Sequence, residues 1–125
     1  MADRESAYRR LVDLSDDALF ATDGEGRFEA VNEAFLALVG YGRDGLVGTP
    51  VTDVLAADAV GRWEQQVNLL QAETATESDA WSARLVTNSG TEVPVTVRLA
   101  ERPGAGVAAV VTDDRERNRR EQKLA

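Results

Sequence analysis

Three consecutive strand-like segments near the C-terminal end, Trp81 to Asn88, Glu92 to Glu101 and Gly106 to Thr112, constrain the fold more than anything else in the chain. Asn88-Ser89-Gly90 and Arg102-Pro103-Gly104 separate them, and clusters of these residue types favour tight reversals. In the second segment Val93, Val95, Val97 and Leu99 alternate with residues such as Thr96 and Arg98, which puts the apolar set on one face. Pro94 falls near the hairpin end, where a missing N–H is easiest to tolerate. Strands joined by hairpins run antiparallel, so this region must form an antiparallel sheet with one apolar face to cover.

A further hairpin precedes it. Ala18 to Thr22 leads through Asp23-Gly24-Glu25-Gly26 into Arg27 to Val31, where Phe28 and Ala30 alternate with Arg27 and Glu29 and are predicted to face inward. Between the hairpins the spacing turns helical. Asn32 is a suitable N-cap for a helix carrying Phe35, Leu38 and Val39, and Gly40 suits the left-handed position that ends it. Thr49-Pro50 predicts a second helix with Val51, Val54 and Leu55, and Asp58 a cap for a third, Ala59 to Glu73, striped by Val60, Trp63, Val67 and Leu70. Asp3 to Leu14 reads as an amphipathic helix with Tyr8, Leu11 and Val12 on its apolar side and Arg4, Arg9 and Arg10 elsewhere. From Arg115 onward the pairs Glu116 with Arg120 and Arg117 with Glu121 predict the start of a longer exposed or coiled-coil helix. The class is α+β: one antiparallel sheet with helices on one face, flanked by terminal helices.

Composition narrows the chemistry. The 125 residues contain neither histidine nor cysteine, so disulfides, thiolate nucleophiles, Cys/His zinc sites, histidine-ligated haem and Ser-His-Asp triads are excluded. No apolar run approaches the ~18 residues of a membrane span, and MADRESAYRR is too charged for a signal sequence, so a cytoplasmic protein without membrane insertion is expected. The net charge is −8, but residues 115–125 carry five basic and two acidic side chains, a net of +3, which leaves −11 on the rest. So acidic a body repels nucleic acid. Lys123 is the one lysine beside thirteen arginines; arginine in place of lysine, with acid in excess, resembles proteins of salt-loving archaea.

Motifs that suggest chemistry lose their force in context. Gly40-Tyr41-Gly42-Arg43-Asp44-Gly45 matches the dinucleotide pattern GxGxxG, yet it follows a helix where a phosphate loop must follow a strand, so a nucleotide-binding enzyme is the weakest reading. Asp23-x-Glu25 opens like a calcium loop, but Arg27 stands where the next oxygen ligand belongs, and no metal site is expected. Asp16-Asp17 and Asp113-Asp114 read as solvated carboxylates. The predicted inward set mixes large aromatics with alanine and valine, a mixture that either encloses an apolar pocket or interlocks into a filled core.

The order of elements, together with the strings LVDLSDDALFATD (11–23), GRFEAVNEAFLALVG (26–40), YGRDGLVGTPVTDVL (41–55), WSARLVTNSGTEVPVTV (81–97) and VVTDDRERNRREQKL (110–124), resembles the PAS domain family of sensory modules. The resemblance implies a five-stranded antiparallel sheet in the order 2-1-5-4-3, with residues 1–17 an N-terminal flanking helix, 18–114 the core and 115–125 the start of a signalling helix. It implies a ligand pocket lined by Phe20, Thr22, Phe28, Ala30, Phe35, Trp63, Trp81, Leu85, Val95, Val97 and Val111. Light-sensing members use a cysteine where Val51 stands here, and amide side chains hold their flavin where this chain has Leu85, Val95 and Val111, which offer no such hydrogen bonds. No cofactor is therefore expected, and any ligand is an apolar small molecule.

At the C-terminal end the resemblance is to the Asp-Ile-Thr junction of the family. Asp113 matches, while Asp114 and Arg115 take the other two places, and Asp113 and Arg115 become the signal-coupling candidates. The expected function is that of a non-enzymatic sensory module of a two-component or transducer protein, for example a haloarchaeal sensor kinase or HTR-like transducer. It would relay ligand- or packing-induced change to a covalently linked output domain and form a homodimer through its flanking helices, with Tyr8, Leu11 and Val12 at the contact. The alternative is a ligand-free dimerisation and relay module with a filled core.

Overall fold

A computed structural model describes residues 17–71, 77–102 and 106–115. The predicted first helix with Tyr8, Leu11 and Val12, and the charged pairs after Arg115, lie outside the described residues. The elements in chain order are strands β1 (Ala18–Thr22) and β2 (Phe28–Val31), helices α1 (Glu33–Val39) and α2 (Arg43–Leu46), 3-10 turns at Val51–Val54 and Ala57–Ala59, helix α3 (Val60–Gln71), and strands β3 (Trp81–Val86), β4 (Glu92–Glu101) and β5 (Val107–Asp113). They form one five-stranded sheet in the order β2-β1-β5-β4-β3, with antiparallel neighbours throughout, as expected.

Local chemistry explains most boundaries. Asn32 caps α1 by accepting the Phe35 N–H at 3.0 Å, and Gly40 ends it at φ 78° with its own N–H donated to the Leu36 carbonyl. The segment led by Thr49-Pro50 forms a 3-10 turn in place of the predicted α-helix, and α2 is a short helical turn within the GxGxxG string that periodicity did not announce. Four residues hold too few apolar positions for periodicity to register. Asp58, predicted to cap α3, sits in the preceding 3-10 turn and pairs instead with Arg84 at 2.8 Å.

One register shift matters. Phe20 pairs with Val31 and Ala21 with Ala30, but Thr22 pairs with Phe28, so Glu29 is the extra residue of a bulge. Phe28 and Val31 thereby both face the helices and are buried, and Ala30, predicted to face inward, is turned to the opposite side of the sheet. Strict alternation misplaced it because a bulge resets the period of two.

Both sheet edges make backbone hydrogen bonds with the segment between β2 and β3. On β2, Phe28 N–H donates to Thr49 O and Gly48 N–H to Phe28 O; on β3, Ala56 N–H donates to Arg84 O. The core lies between the sheet's inner face and the helices, and Phe35, fully buried in α1, is at its centre; truncating a ring so placed costs about 3–5 kcal/mol.

Candidate functional site

The inner face is built from cross-strand rows. Val31, Phe20, Ala109 and Leu99 form one, and Ala18, Val111, Val97 and Trp81 the next. Phe20 meets Phe28 edge-to-face at 5.1 Å, Phe35 at 5.1 Å and Trp63 of α3 at 6.0 Å, while Phe28 and Phe35 lie 5.6 Å apart. Aromatic rings at these separations fill the space between sheet and helices. Of the eleven predicted pocket residues, ten lie in this buried inner layer: Phe20, Thr22, Phe28, Phe35, Trp63, Trp81, Leu85, Val95, Val97 and Val111. Ala30 is the one that does not.

Among the described residues two polar side chains are buried, Thr22 and Asn32, and both are committed to structure. Thr22 Oγ1 accepts the Val107 N–H at 3.1 Å. Asn32 Oδ1 accepts from Leu19 N–H and Phe35 N–H, and its Nδ2 donates to Asp17 O at 2.7 Å, tying the start of β1 to the start of α1. Trp81 differs: its Nε1–H is buried and has no hydrogen-bond partner.

The signal-coupling candidates meet where β5 ends. Asp113 Oδ1 accepts the backbone N–H of Arg115 at 2.9 Å, and its carboxylate receives the Arg115 guanidinium at 3.2 and 3.1 Å. Asp113 thus caps the helical backbone that begins at Asp114. Asp114 is itself held by Thr96 Oγ1 of β4, which donates to its carboxylate at 3.0 Å. This partner on β4 lies 18 positions away and could not be read from local spacing.

On the outer face, Ala30, Ala21, Ala108 and Ala100 align across four strands. Leu19, Val110 and Arg98 run beside them, and Glu77 and Ser78 close one side of a groove of about 460 Å³. Small side chains in a row make the recess. Arg98 lines this groove, whereas Arg84 turns to Asp58, whose carboxylate raises the guanidinium pKa above its ordinary value by hydrogen bonding.

The discounted motifs are also placed. Asp23 Oδ1 accepts the N–H groups of Glu25 and Arg27, closing the first hairpin, and the Arg27 amide foremost holds its carboxyl below the ordinary value of 3.8. Among the described residues no group of three or more acidic, histidine or cysteine side chains could hold a metal ion.

Residues 16–116 match the family model described as PAS domain. The fold is similar to the PAS domain of a protein from Colwellia psychrerythraea, at TM-score 0.76 and 17% identity, covering 89% of this chain and 97% of that one. It is similar to the PAS domain of an HTR-like protein from Haloarcula marismortui, at TM-score 0.68 and 20% identity, over 90% and 93% of the two chains. A domain of the sensory box sensor histidine kinase/response regulator from Geobacter sulfurreducens aligns at TM-score 0.70 and 23% identity, over 88% and 94%. No curated protein matches the sequence.

Proposed function

The chain belongs to the PAS domain family, the sensory domains of signal-transduction proteins, and on that premise we propose that it works as a non-enzymatic relay module. A change in packing on the inner face, brought about by a ligand or by the flanking segments, shifts the sheet, and the helix leaving β5 carries the shift to a covalently linked output domain. One observation carries this reading: β5 lies between β1 and β4 and runs directly into a turn fixed by Asp113 to Arg115 and by Asp114 to Thr96. Movement of the sheet relative to the helices therefore reaches the outgoing backbone through hydrogen bonds and not through a slack linker. The aromatic half of the inner face packs on itself, so a guest enters at its other end or the input is packing alone.

The partner in this reading is a second copy of the chain. The outer groove offers an apolar recess on the face away from the helices, lined in part by Leu19 and Ala21 of β1, the strand that follows Tyr8, Leu11 and Val12 in the chain. Among the described residues no helix is long and apolar enough to cross a membrane. In this reading the module works in the cytoplasm, next to the output domain.

The chain has no cysteine, so Asn118→Cys provides a single attachment point for a spin label. The relay predicts that Phe35→Leu in the core changes the label's mobility, and that labels on two copies give a defined dipolar distance. A label insensitive to the core substitution in a folded protein removes the relay. A strict monomer by light scattering at high concentration removes the dimer.

A further inference from the structure

Trp81 opens β3 with its indole on the inner face, 5% exposed, opposite Val97. Beyond Val97 the same row continues through Val111 to Ala18, so its side chains offer the indole no acceptor. Among the described residues Trp81 Nε1 is the buried side-chain nitrogen or oxygen left without a hydrogen-bond partner. Buried indole N–H groups ordinarily find one, and an orphaned donor is destabilising relative to a paired one. A phenylalanine would fill the same position without that cost. Thr22 and Asn32, the other polar groups of the core, are satisfied, so the exception is local to the Trp81 end.

We infer that the Trp81 indole N–H is the polar anchor for a small neutral guest carrying one acceptor oxygen, a ketone or an alcohol, seated against the row formed by Val97 of β4, Val111 of β5 and Ala18 of β1. The chemistry follows from what surrounds the donor. An acceptor is required because the free group is a donor. The guest is neutral because, among the described residues, the core contains no buried charged side chain to balance an ion. It is small because the neighbouring space is taken by the rings of Phe20, Phe28, Phe35 and Trp63. The inference rests on the inner face being the sensing face, and it names the class of ligand that face takes.

The chain has two tryptophans, so two indole resonances report on it, with Trp63 the internal control. The ¹⁵N-labelled full chain is titrated with butanone and, separately, with pentane, which is of similar size but has no acceptor. Butanone should move the Trp81 indole proton downfield saturably and Trp63 less, and pentane should cause no downfield shift. In Trp81→Phe, butanone binding, read on the Val97 and Val111 methyl resonances, should weaken about five- to tenfold, the worth of one net hydrogen bond.

A Trp81 resonance unmoved by butanone overturns the inference, as does a water molecule found hydrogen-bonded to Nε1 and retained at saturating probe. Equal affinity in Trp81→Phe also overturns it. These readouts lie in the core and the spin label beyond β5, so a failed relay and a failed ligand site are separate results.

Discussion

The Thr96 hydroxyl on β4 donates to both carboxylate oxygens of Asp114, at 3.0 and 3.1 Å, where β5 gives way to helical backbone. The bond joins one strand to the element that follows another, so its loss acts on the junction before the core. Thr96→Val keeps the shape and removes the donor, and should cost about 1–2 kcal/mol at this half-buried site. Hydrogen exchange should quicken at the Arg115 amide several-fold more than at Val97; an even change across the sheet would reduce Thr96 to a general contributor to stability.

Gly106 precedes β5 at φ 78°, and a Cβ there would lie 2.0 Å from the Thr22 carbonyl oxygen. Both the conformation and the contact exclude a side chain, and the obstacle is backbone, which cannot rotate away. Gly106→Ala should destabilise the domain by at least about 2 kcal/mol in urea unfolding. A neutral result would show that the β4–β5 connection can move away from β1.

Asn32 is fully buried and serves Leu19, Phe35 and Asp17 at once. Asn32→Leu approximates its volume but removes the acceptor of two backbone N–H groups and the donor to the Asp17 carbonyl, at an expected cost of about 2–4 kcal/mol. Asn32→Asp should cost less, because the acceptor for both N–H groups survives and only the donor to Asp17 is lost. Chemical denaturation of the pair tests this ordering.

Asp23 has its pKa lowered by the Arg27 and Glu25 amides, so its charged form favours the folded state. That contribution is complete above the ordinary value of 3.8 and is lost as pH falls through the lower folded value. Asp23→Asn keeps an acceptor oxygen for the turn and removes the titration. Its melting temperature should therefore decline less steeply than that of the parent below about pH 4; parallel curves would mean that the unfolded chain holds this carboxylate equally well.

A body at −11 repels itself, and salt screens that repulsion. The melting temperature should rise from dilute buffer to molar KCl. A flat or falling curve would detach the acidic, arginine-rich composition from any adaptation to salt without touching the fold.

Reading the chain alone went furthest where the signal is local. The alternation of Val93, Val95, Val97 and Leu99, the Asn32 cap and the Gly40 stop each depend on residues within a few positions, and each is present in the structure. The length of the Val51–Val54 turn and the existence of α2 escaped, because a single turn leaves no periodicity to detect. The candidate site was legible as a set of inward positions. Ala30 was misassigned by one bulge, and the Trp81 donor passed as an apolar ring, since whether an N–H finds a partner depends on what the fold brings near it.

By itself the sequence determined the order of the five strands, the antiparallel hairpins, the exclusion of cysteine and histidine chemistry, and the separation of an acidic body from a basic tail, all of which follow from residue identity and short-range spacing. Only the tertiary structure decided that Thr96 would hold Asp114, that Gly106 would press on Thr22, and that four alanines from four strands would line up as a groove. The first two of these relationships join residues 18 and 84 positions apart, and all three cross strands whose register is fixed by the packing of the whole inner face and by one bulge.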